Sequence, residues 1–377
     1  MLEKNFFGGN KISHELYMKK ALSLALNGRG RTSPNPLVGC VIVKNDEVIG
    51  EGWHHRYGHP HAEIEAINDA QARNKNIEGS IFYVTLEPCS HYGKTPPCAE
   101  RLVKEKISEV VIAMRDPNEK VNGKGIEILR GAGIKVTELY GEIENEAKWL
   151  NRGFVFVHKY KRPFVTLKAA LSLDGKICLA NNSSKWLTGI EARTKAHEIR
   201  AENDAVLVGV NTVLNDDPEL TVRHVEGINP KRIILDSSLK TPSDAKIIHA
   251  ANDGRCIIFT LENENSERAK KLKDNGAEVV TLENLSVKNI LDVLISKGVL
   301  NLMVEGGAAV LSSFIKSGLA DYVNFFYAPK ILGEGKGFDL NMNFNSVSEA
   351  FSLNNIKSGL IGKDIFIEGR LSCSPDL

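Results

Sequence analysis

The stretch that decides the fold of the first half of the chain runs from His61-Ala62-Glu63 to Glu87-Pro88-Cys89 and ends at Cys98. Four of its residues, His61, Glu63, Cys89 and Cys98, supply one imidazole, one carboxylate that need not bind a metal, and two thiols. Zinc prefers nitrogen and sulfur ligands in a tetrahedral arrangement, and a catalytic zinc keeps its fourth position for water. His61, Cys89 and Cys98 therefore match the protein ligands of a water-activating zinc site, with Glu63 beside them.

The order His-x-Glu followed by Pro-Cys is typical of zinc-dependent deaminases. In that chemistry zinc activates a water that attacks a ring carbon, and a glutamate that does not bind the metal carries protons to the ring nitrogen and the leaving amine. The usual motif ends in Cys-x-x-Cys, whereas eight residues separate Cys89 from Cys98 here. Either Cys98 belongs to something else, or residues 90–97 bulge outward and leave the two thiols close.

We favour the bulge, because Gly93 and the Pro96-Pro97 pair are typical of a stiff loop and Cys98 opens a predicted helix. A helix start carries partial positive charge, so we expect it to lower the pKa of the Cys98 thiol. His91, inside the loop, is a competing ligand. The alternative without a metal is a pair of buried cysteines and a core histidine, and the joint pattern with Pro88 argues against it.

Length and composition describe an ordinary globular chain of two domains. The chain has 377 residues, of which 42% are hydrophobic and 25% charged, and its formal net charge is +1. This balance gives no electrostatic reason to expect nucleic acid or a membrane surface as a partner. No stretch approaches the roughly twenty apolar residues of a membrane span, and the first twenty residues lack the apolar core of a signal peptide, so we expect a cytoplasmic protein.

The apolar pattern predicts an α/β fold in both halves. We expect a layered α/β domain over 1–150, a linker over 151–162 and a second domain over 163–377 with a mainly parallel sheet. In the first domain the pattern predicts helices over 12–27, 62–73, 98–104 and 125–130 and strands over 38–43, 81–85, 109–113 and 134–137. In the second it predicts strands over 164–168, 205–210, 232–235, 256–259, 278–281 and 300–304.

Two strand ends in the second half suggest a nucleotide site. The segment from Val304 through Glu305 to Gly307 reads as a strand, a glycine turn and a helix start, which points backbone N–H groups at a phosphate. Residues 207–214 also run from a strand into a small polar turn. Local pattern leaves alternatives open: paired glycines are common in turns that bind nothing, and aspartates before a proline are by default turn and cap residues.

Motifs in both halves resemble one family, the bifunctional deaminase/reductases of riboflavin biosynthesis. In the first half they are TSPNPLVGC (32–40), GWHHRYG (52–58), HAE (61–63), EPC (87–89) and TPPC (95–98). In the second half they are LKAALSLDGK (167–176), SKW (184–186), TVLNDDP (212–218) and EGG (305–307). The resemblance covers nearly the whole chain, and the long loop between the two cysteines is the family's own variant.

The resemblance implies a cytidine-deaminase-like three-layer domain followed by a dihydrofolate-reductase-like domain. It implies that the first domain uses Zn²⁺ to remove an amino group from a diaminopyrimidinone ribosyl phosphate, and that the second uses NADPH to reduce the ribosyl chain to ribityl. Positions that match the family's deaminase motifs make Asn35, His54, Lys94 and Asn118 candidates to bind the pyrimidine nucleotide.

The resemblance also implies which residues of the reductase bind NADPH and the substrate. The positions implied to line NADPH are Ala170, Trp186, Thr212, Asp216, Ser237, Gly307, Ala308 and Ala309. Those implied to face the substrate are Ser184, Leu220, Arg223 and Glu305. Lys168 and Asp216 are candidates for the proton donor, because hydride transfer from NADPH needs an acid near the sugar's ring-opening oxygen or imine nitrogen.

Two other hypotheses remain open on sequence alone. The C-terminal half could be a non-catalytic module that binds nucleotides or joins subunits, or the zinc could be structural in a chain that only binds a partner. We expect the partner to be a small pyrimidine ribosyl phosphate rather than nucleic acid or membrane, and we expect a homo-oligomer.

Overall fold

The computed structural model describes residues 9–92, 96–119, 121–250 and 253–377, with side chains from His14 onward. It divides into two compact units, one that ends at Tyr160 and one that spans Lys161–Asp376. In the described part of the chain, none of the helices is both long enough and apolar enough to cross a bilayer.

A five-stranded sheet with helices on both faces forms the first unit. Its strands are β1 (Gly39–Lys44), β2 (Glu47–Trp53), β3 (Ile81–Val84), β4 (Glu109–Ile112) and β5 (Lys135–Glu138). Its helices are α1 (Gly9–Ala25), α2 (Ala62–Ala72), α3 (Cys98–Lys104), α4 (Lys124–Gly131), α5 (Glu142–Leu150) and α6 (Arg152–Tyr160). The sheet order is β2-β1-β3-β4-β5, antiparallel around β1 and parallel from β3 to β5.

Alternation along β1 explains the three layers. Cys40 and Ile42 share a buried apolar cluster with Ala66 of α2. Gly39 faces the opposite side, where a Cβ would lie 2.0 Å from the Ala21 carbonyl oxygen of α1. Because successive strand residues point to opposite faces, α1 and α2 cover the two faces of one sheet. This is the predicted three-layer arrangement.

A nine-stranded sheet dominates the second unit, in the order β11-β10-β9-β8-β12-β6-β13-β16-β15. Its strands are β6 (Phe164–Ser172), β8 (Ala205–Gly209), β9 (Lys231–Leu235), β10 (Cys256–Thr260), β11 (Ala277–Thr281), β12 (Asn301–Val304), β13 (Tyr322–Ala328), β15 (Leu353–Ile361) and β16 (Asp364–Leu371). A separate antiparallel ribbon pairs β7 (Lys176–Leu179) with β14 (Gly335–Gly337). The helices are α7 (Ile190–Ala201), α8 (Val210–Asp216), α9 (Lys246–His249), α10 (Glu267–Asp274), α11 (Val287–Ser296) and α12 (Ala308–Lys316).

The parallel part of this sheet creates one functional edge. Every pairing from β11 through β13 is parallel, and only β16 and β15 run antiparallel to their neighbours. The carboxyl ends of β6, β8, β9 and β12 therefore meet at the same edge, which is where open α/β sheets bind ligands.

The structure differs from the sequence expectation in several places. Strands β2, β7, β13 and β14, the C-terminal pair β15 and β16, and helix α5 were not predicted. Residues 151–162, expected as a linker, contain helix α6, which belongs to the first unit. The predicted mainly parallel sheet of the second unit is present.

Candidate active sites

Three predicted metal ligands meet in the first unit. His61 is the residue that precedes α2, Cys89 follows β3, and Cys98 is the first residue of α3. Their ligand atoms all lie within 4.8 Å of one another, and they form the only such group among the described residues. His61 Nδ1 lies 3.3 Å from Cys98 Sγ and 3.5 Å from Cys89 Sγ. The nitrogen that faces the thiols is therefore Nδ1.

The long loop does leave the two cysteines adjacent. The Cys98 backbone N–H donates to Cys89 Sγ over 3.3 Å, and the Ala99 N–H donates to the Cys89 carbonyl oxygen over 3.2 Å. His91 is exposed and lies outside the three-ligand group. Lys94, named as a substrate ligand, lies outside the described residues.

We expected the start of α3 to lower the pKa of the Cys98 thiol, but in the structure the thiol with the lowered pKa is Cys89. Hydrogen bonding from Cys98 lowers the pKa of Cys89 to about 4, whereas the same bond and burial raise the pKa of Cys98. The side chains of Cys98 and His61 contribute most to the lowered pKa of Cys89, and the Cys98 backbone N–H at the start of α3 adds a smaller contribution in the same direction.

Glu63 lies in the first turn of α2, two residues after His61, and only 3% of it is exposed. Burial raises the pKa of its carboxyl group against the opposing effect of His61. The carboxylate is thus enclosed next to the metal ligands without being one of them.

Two predicted substrate residues form a chain that leads to the metal ligands. Asn35 Nδ2 donates to His54 Nε2 over 3.1 Å, and His54 Nδ1 donates to the Pro60 carbonyl over 3.0 Å. The rings of His54 and His61 meet edge to face with their centroids 5.5 Å apart. Burial lowers the pKa of His54, which suits the neutral ring that this pair of hydrogen bonds requires. Asn35 and His54 therefore lie together beside the metal group.

Glu87, which the sequence analysis passed over as part of a motif, anchors the loop that carries Asn118. Its buried carboxylate accepts four backbone N–H groups, from Asp116 (3.3 Å), Gly123 (3.0 Å), Gly125 (3.0 Å) and Ile126 (3.4 Å). Gly125 lies so close to the metal-site loop that a Cβ would stand 2.1 Å from the Pro88 carbonyl oxygen. Glu87 thereby fixes the Asn118 loop against the segment that supplies Cys89.

A charged triad occupies the functional edge of the second unit. Lys168 Nζ, on β6, donates to Glu305 Oε1 over 2.8 Å, and Arg200 Nη2, on α7, donates to Glu305 Oε2 over 2.7 Å. Burial alone would raise the pKa of Glu305, but the two cations outweigh it and hold that pKa well below its usual range. Lys168 and Glu305 were predicted. Arg200 was missed, because nothing local in the sequence relates α7 to a residue 105 positions later.

Within the described part of the chain, one buried polar atom of the triad and one beside it lack a hydrogen-bond partner. Among the described residues, Arg200 Nε and Asn324 Oδ1 are buried without a hydrogen-bond partner. Asn324 pairs with Lys168 across the parallel strands β13 and β6, so their side chains point to the same face. Buried groups left without partners are costly, and their presence here is what a site for a polar ligand requires.

The predicted cofactor residues follow the same edge of the sheet. Ala170 lies two positions after Lys168 on β6 and so shares its face. Gly307 precedes α12, and Ala308 and Ala309 form its first turn, where backbone N–H groups have no partner within the helix. Thr212 lies in the first turn of α8, directly after β8. Ser237 is exposed after β9, and its carbonyl oxygen accepts the Leu261 N–H.

Asp216 ends α8 and faces Lys185 rather than the triad. Lys185 Nζ lies 3.9 Å from its carboxylate and donates to its carbonyl oxygen over 3.0 Å. Ser184 and Trp186 flank that lysine, and the Trp186 ring is covered by Arg193 at 4.3 Å. The structure thus groups Asp216 with Ser184 and Trp186. Among the described residues, Asp216 makes no hydrogen bond to Lys168 or Glu305.

Leu220 and Arg223 lie on a segment tied to the triad through its backbone. Arg200 Nη1 donates to the Thr221 carbonyl oxygen over 2.7 Å, and the Arg223 N–H donates to His197 Nδ1 over 3.3 Å. The Leu220 side chain is buried in an apolar cluster, so any contact with substrate would come from its backbone. The Arg223 guanidinium pairs with Glu219 over 2.7 Å at the surface.

Comparison with known proteins agrees with this two-part picture. Residues 11–114 match the family model "Cytidine and deoxycytidylate deaminase zinc-binding region", and residues 163–365 match "RibD C-terminal domain". The riboflavin biosynthesis protein RibD of Aquifex aeolicus is 45% identical over 93% of this chain and 96% of its own length. The chain belongs to the RibD family.

Solved structures of the family share the whole fold. RibD of Acinetobacter baumannii superposes with a TM-score of 0.85 at 37% identity, covering 96% of this chain and 99% of that one. A Thermotoga maritima diaminohydroxyphosphoribosylaminopyrimidine deaminase/5-amino-6-(5-phosphoribosylamino)uracil reductase gives the same score at 40% identity over 95% and 99%. This RibD-family chain is therefore an enzyme of riboflavin biosynthesis with a zinc-dependent deaminase domain and an NADPH-dependent, dihydrofolate-reductase-like domain. A non-catalytic C-terminal half is not favoured.

Proposed function

We propose that the first domain removes the 2-amino group of 2,5-diamino-6-ribosylamino-4(3H)-pyrimidinone 5′-phosphate at His61, Cys89, Cys98 and Glu63. The observation that carries this proposal is the meeting of the three ligand atoms beside a buried carboxylate. Ligand atoms of a tetrahedral zinc lie roughly 3.6 Å apart when one is nitrogen and one sulfur. The observed separations of 3.3 and 3.5 Å fit that requirement.

Each residue of this site has a distinct role in the proposal. Zinc, when bound by Nδ1 of His61 and the two thiolates, supplies the Lewis acidity that activates water. Glu63 accepts the proton that the water gives up and delivers protons to the ring nitrogen and then to the departing amine. Asn35, His54 and Asn118 hold the pyrimidine nucleotide, and Lys94 is proposed for its phosphate end.

We propose that the second domain then reduces the ribosyl chain to ribityl, giving 5-amino-6-ribitylaminouracil 5′-phosphate. The observation that carries this step is the triad of Lys168, Glu305 and Arg200, in which Arg200 Nε has no hydrogen-bond partner among the described residues, with the unpartnered Asn324 Oδ1 on the neighbouring strand. NADPH supplies the hydride. Glu305 and Arg200 orient the substrate together with Ser184 and the segment from Leu220 to Arg223.

We assign proton donation in the reductase to Lys168 rather than to Asp216. The Lys168 ammonium group lies inside the triad, whereas Asp216 lies with Lys185 at the end of α8. Asp216 keeps its proposed part in binding NADPH, together with Ala170, Trp186, Thr212, Ser237 and the turn of Gly307, Ala308 and Ala309.

One pair of variants tests both assignments at once. Glu63→Gln should abolish ammonia release while zinc content and NADPH oxidation with the deaminated substrate stay normal. Lys168→Met, which keeps much of the side-chain volume, should abolish NADPH oxidation while ammonia release and zinc content stay normal. Normal ammonia release by Glu63→Gln, or normal NADPH oxidation by Lys168→Met, would overturn the corresponding assignment.

The remaining proposals concern the setting of the enzyme. We propose a homo-oligomer that works in the cytoplasm on a small nucleotide and without nucleic acid as a partner. The near-neutral charge of the chain supports the last point. Light scattering on the purified protein tests the proposed homo-oligomer, because a particle mass of 41.5 kDa would show a monomer.

A further inference from the structure

Asn324 on β13 is a buried amide beside the triad that the proposed reduction does not use. Only 4% of the residue is exposed, and within the described residues its Oδ1 atom is buried without a hydrogen-bond partner. Leaving a buried acceptor unpaired costs free energy, so such an atom requires a donor that reaches it in another state of the protein.

Strand pairing places Lys168 between two acceptors. Lys168 of β6 lies directly opposite Asn324 of β13, and the strand on its other side is β12, which ends one residue before Glu305. Residues in register on neighbouring strands point to the same face, and the strands are roughly 4.8 Å apart. The Lys168 ammonium group therefore has the Glu305 carboxylate on one side and the Asn324 amide on the other.

Helix α7 encloses this part of the sheet. Phe326 lies two residues after Asn324 on the same face, and it packs in an apolar cluster with Ala196 and Ile199 of α7. Arg200 of the same helix reaches Glu305. Because the helix covers the amide, a donor for Asn324 Oδ1 has to come from a neighbouring side chain or from a bound molecule.

Lys168 has donors to spare. An ammonium group carries three N–H donors, and in the part of the chain that the structure describes Lys168 uses one of them, on Glu305 Oε1 over 2.8 Å. The second Glu305 oxygen accepts from Arg200 over 2.7 Å. A substrate hydroxyl that donates to Glu305 competes with both cations for these two oxygens. Asn324 Oδ1, one strand away, is then the second acceptor for the ammonium group.

The strand beyond Asn324 favours one orientation of its amide. Glu368 of β16 lies in register with Asn324 on the side away from Lys168. A carboxylate accepts hydrogen bonds and does not donate them, so it favours the orientation that turns Nδ2 toward Glu368 and Oδ1 toward Lys168. The charged or titratable groups on this face are Lys168 on β6, Glu305 after β12, the buried His197 and Arg200 on α7, Glu368 and Arg370 on β16, and Tyr322 on β13 itself.

We propose that Asn324 is a positioning residue of the reductase, whose Oδ1 shares the Lys168 ammonium group with Glu305 and holds it for proton donation. This inference rests on the proposed role of Lys168 as proton donor. In that step NADPH gives a hydride to the imine carbon of the opened sugar and becomes NADP⁺. The carbon–nitrogen double bond becomes single, and its nitrogen takes one proton from Lys168. Asn324 itself exchanges no proton.

The test follows NADPH oxidation by the full-length Asn324→Leu variant as a function of pH, with the deaminated pyrimidine as substrate. Without the amide acceptor the ammonium group loses its proton more readily, so the alkaline limb of kcat should move to lower pH by about one unit. Asn324→Asp keeps an acceptor and adds negative charge, so its alkaline limb should move to higher pH instead. A side chain that only filled space would not move the limb in opposite directions in two variants.

Asn301→Leu is the matched control. Asn301 Oδ1 is another buried amide oxygen without a partner among the described residues, and Asn301 lies on β12 four residues, or roughly 13 Å, before Glu305. The kcat, KM and pH profile of this variant should match those of the wild type. An unchanged alkaline limb in Asn324→Leu would overturn the proposal. A higher KM for the pyrimidine with an unmoved limb would make Asn324 a substrate contact and would overturn it as well.

Chemical labelling separates this inference from the assignment of Lys168. Formaldehyde and cyanoborohydride methylate an amine only when it is unprotonated, and mass spectrometry follows this reaction at Lys168 without any catalysis by the enzyme. The pH of half-maximal labelling should fall in Asn324→Leu and rise in Asn324→Asp. If it did so while wild-type kcat showed no alkaline limb, the Asn324 contact would stand and the proton-donor assignment would fall. An unmoved labelling midpoint would overturn the contact even if NADPH oxidation required Lys168.

Discussion

At the scale of single residues, the deaminase site depends on the donor atoms that meet at His61. Its Nδ1 faces both thiols, and each separation is close to that of two ligands on one tetrahedral metal. The sequence leaves Cys98 in doubt because the spacing from Cys89 is unusual. The structure brings the two sulfurs together by letting the first N–H of α3 bond to Cys89.

Cys98→Ser is expected to lose zinc and ammonia release together, because a neutral hydroxyl is a far poorer zinc ligand than a thiolate. Metal analysis of the purified variant and an ammonia assay check this. Cys178→Ser, which changes a cysteine in the second unit, is the control and should behave as wild type. Full zinc content in Cys98→Ser would point to His91 or another ligand.

His197 should make the stability of the second unit depend on pH. Burial, with Arg200 and His224, lowers its pKa to about 4, and its unprotonated Nδ1 accepts the Arg223 N–H. The folded pKa lies below the unfolded value of about 6.5, so the unfolded chain binds the proton more readily between the two. The stability that His197 contributes is therefore present above pH 6.5 and is lost as the pH falls toward 4.

Thermal unfolding measured from pH 7.5 to pH 4.5 tests that prediction. We expect a fall of about 2–6 °C in the Tm of the second unit that is specific to His197. His197→Asn keeps an acceptor near the Nδ1 position and cannot be protonated, so its Tm should depend less on pH. Identical pH profiles for the two proteins would show that His197 is not the group responsible.

At the scale of elements, the sequence predicts those helices and strands whose signals are local, such as a helix start or an apolar alternation. Helix α3 was predicted over 98–104, and the structure has Cys98–Lys104. Strand β2 was missed because Gly50 and Gly52 weaken its signal, and the structure explains them by the close passage of α2. Strand β15 is polar and mostly exposed, so it has no apolar alternation to find.

The same reasoning explains which site residues were found. Residues within family motifs, such as Glu63 and Glu305, can be recognised from the residues next to them in the sequence. Arg200 has none, because a guanidinium on an ordinary helix shows its purpose only when the chain brings it to Glu305. The family resemblance implies that Leu220 faces the substrate, yet its side chain faces the core. Sequence gives the residue type, and only tertiary structure gives the direction in which it points.

The Glu87 anchor yields a prediction for the loop between β4 and α4. Glu87→Gln replaces one acceptor oxygen with an NH₂ group, so two of the four backbone N–H groups lose their partner. Unsatisfied buried donors cost about 1–3 kcal/mol, which corresponds to a Tm loss of roughly 3–10 °C in the first unit. Because the loop carries Asn118, KM for the diaminopyrimidinone should rise while zinc stays bound.

Calorimetry, metal analysis and steady-state kinetics check this prediction. Glu119→Gln removes the charge of an exposed carboxylate in the same loop and should leave all three measurements unchanged. A Tm loss without any change in KM would show that Glu87 only supports the fold.

At the scale of the whole molecule, one chain carries two complete catalytic units. Each has its own apolar core, its own sheet and its own polar site, and the family's solved structures match 95–96% of the chain. The deaminase removes an amino group from the pyrimidine, and the reductase acts on the sugar, so the two reactions alter different parts of one molecule. The deaminase and the reductase can therefore act one after the other on the same molecule, because neither reaction alters the part on which the other acts.

The most direct test is a two-stage assay on the zinc-loaded, full-length protein. The diaminopyrimidinone ribosyl phosphate is supplied first without NADPH while ammonia is followed, and NADPH is then added while its absorbance is followed. We predict stoichiometric ammonia in the first stage and NADPH oxidation in the second. Ammonia without NADPH oxidation would contradict the reductase assignment, and no ammonia despite bound zinc would contradict the substrate or the site assigned to the deaminase.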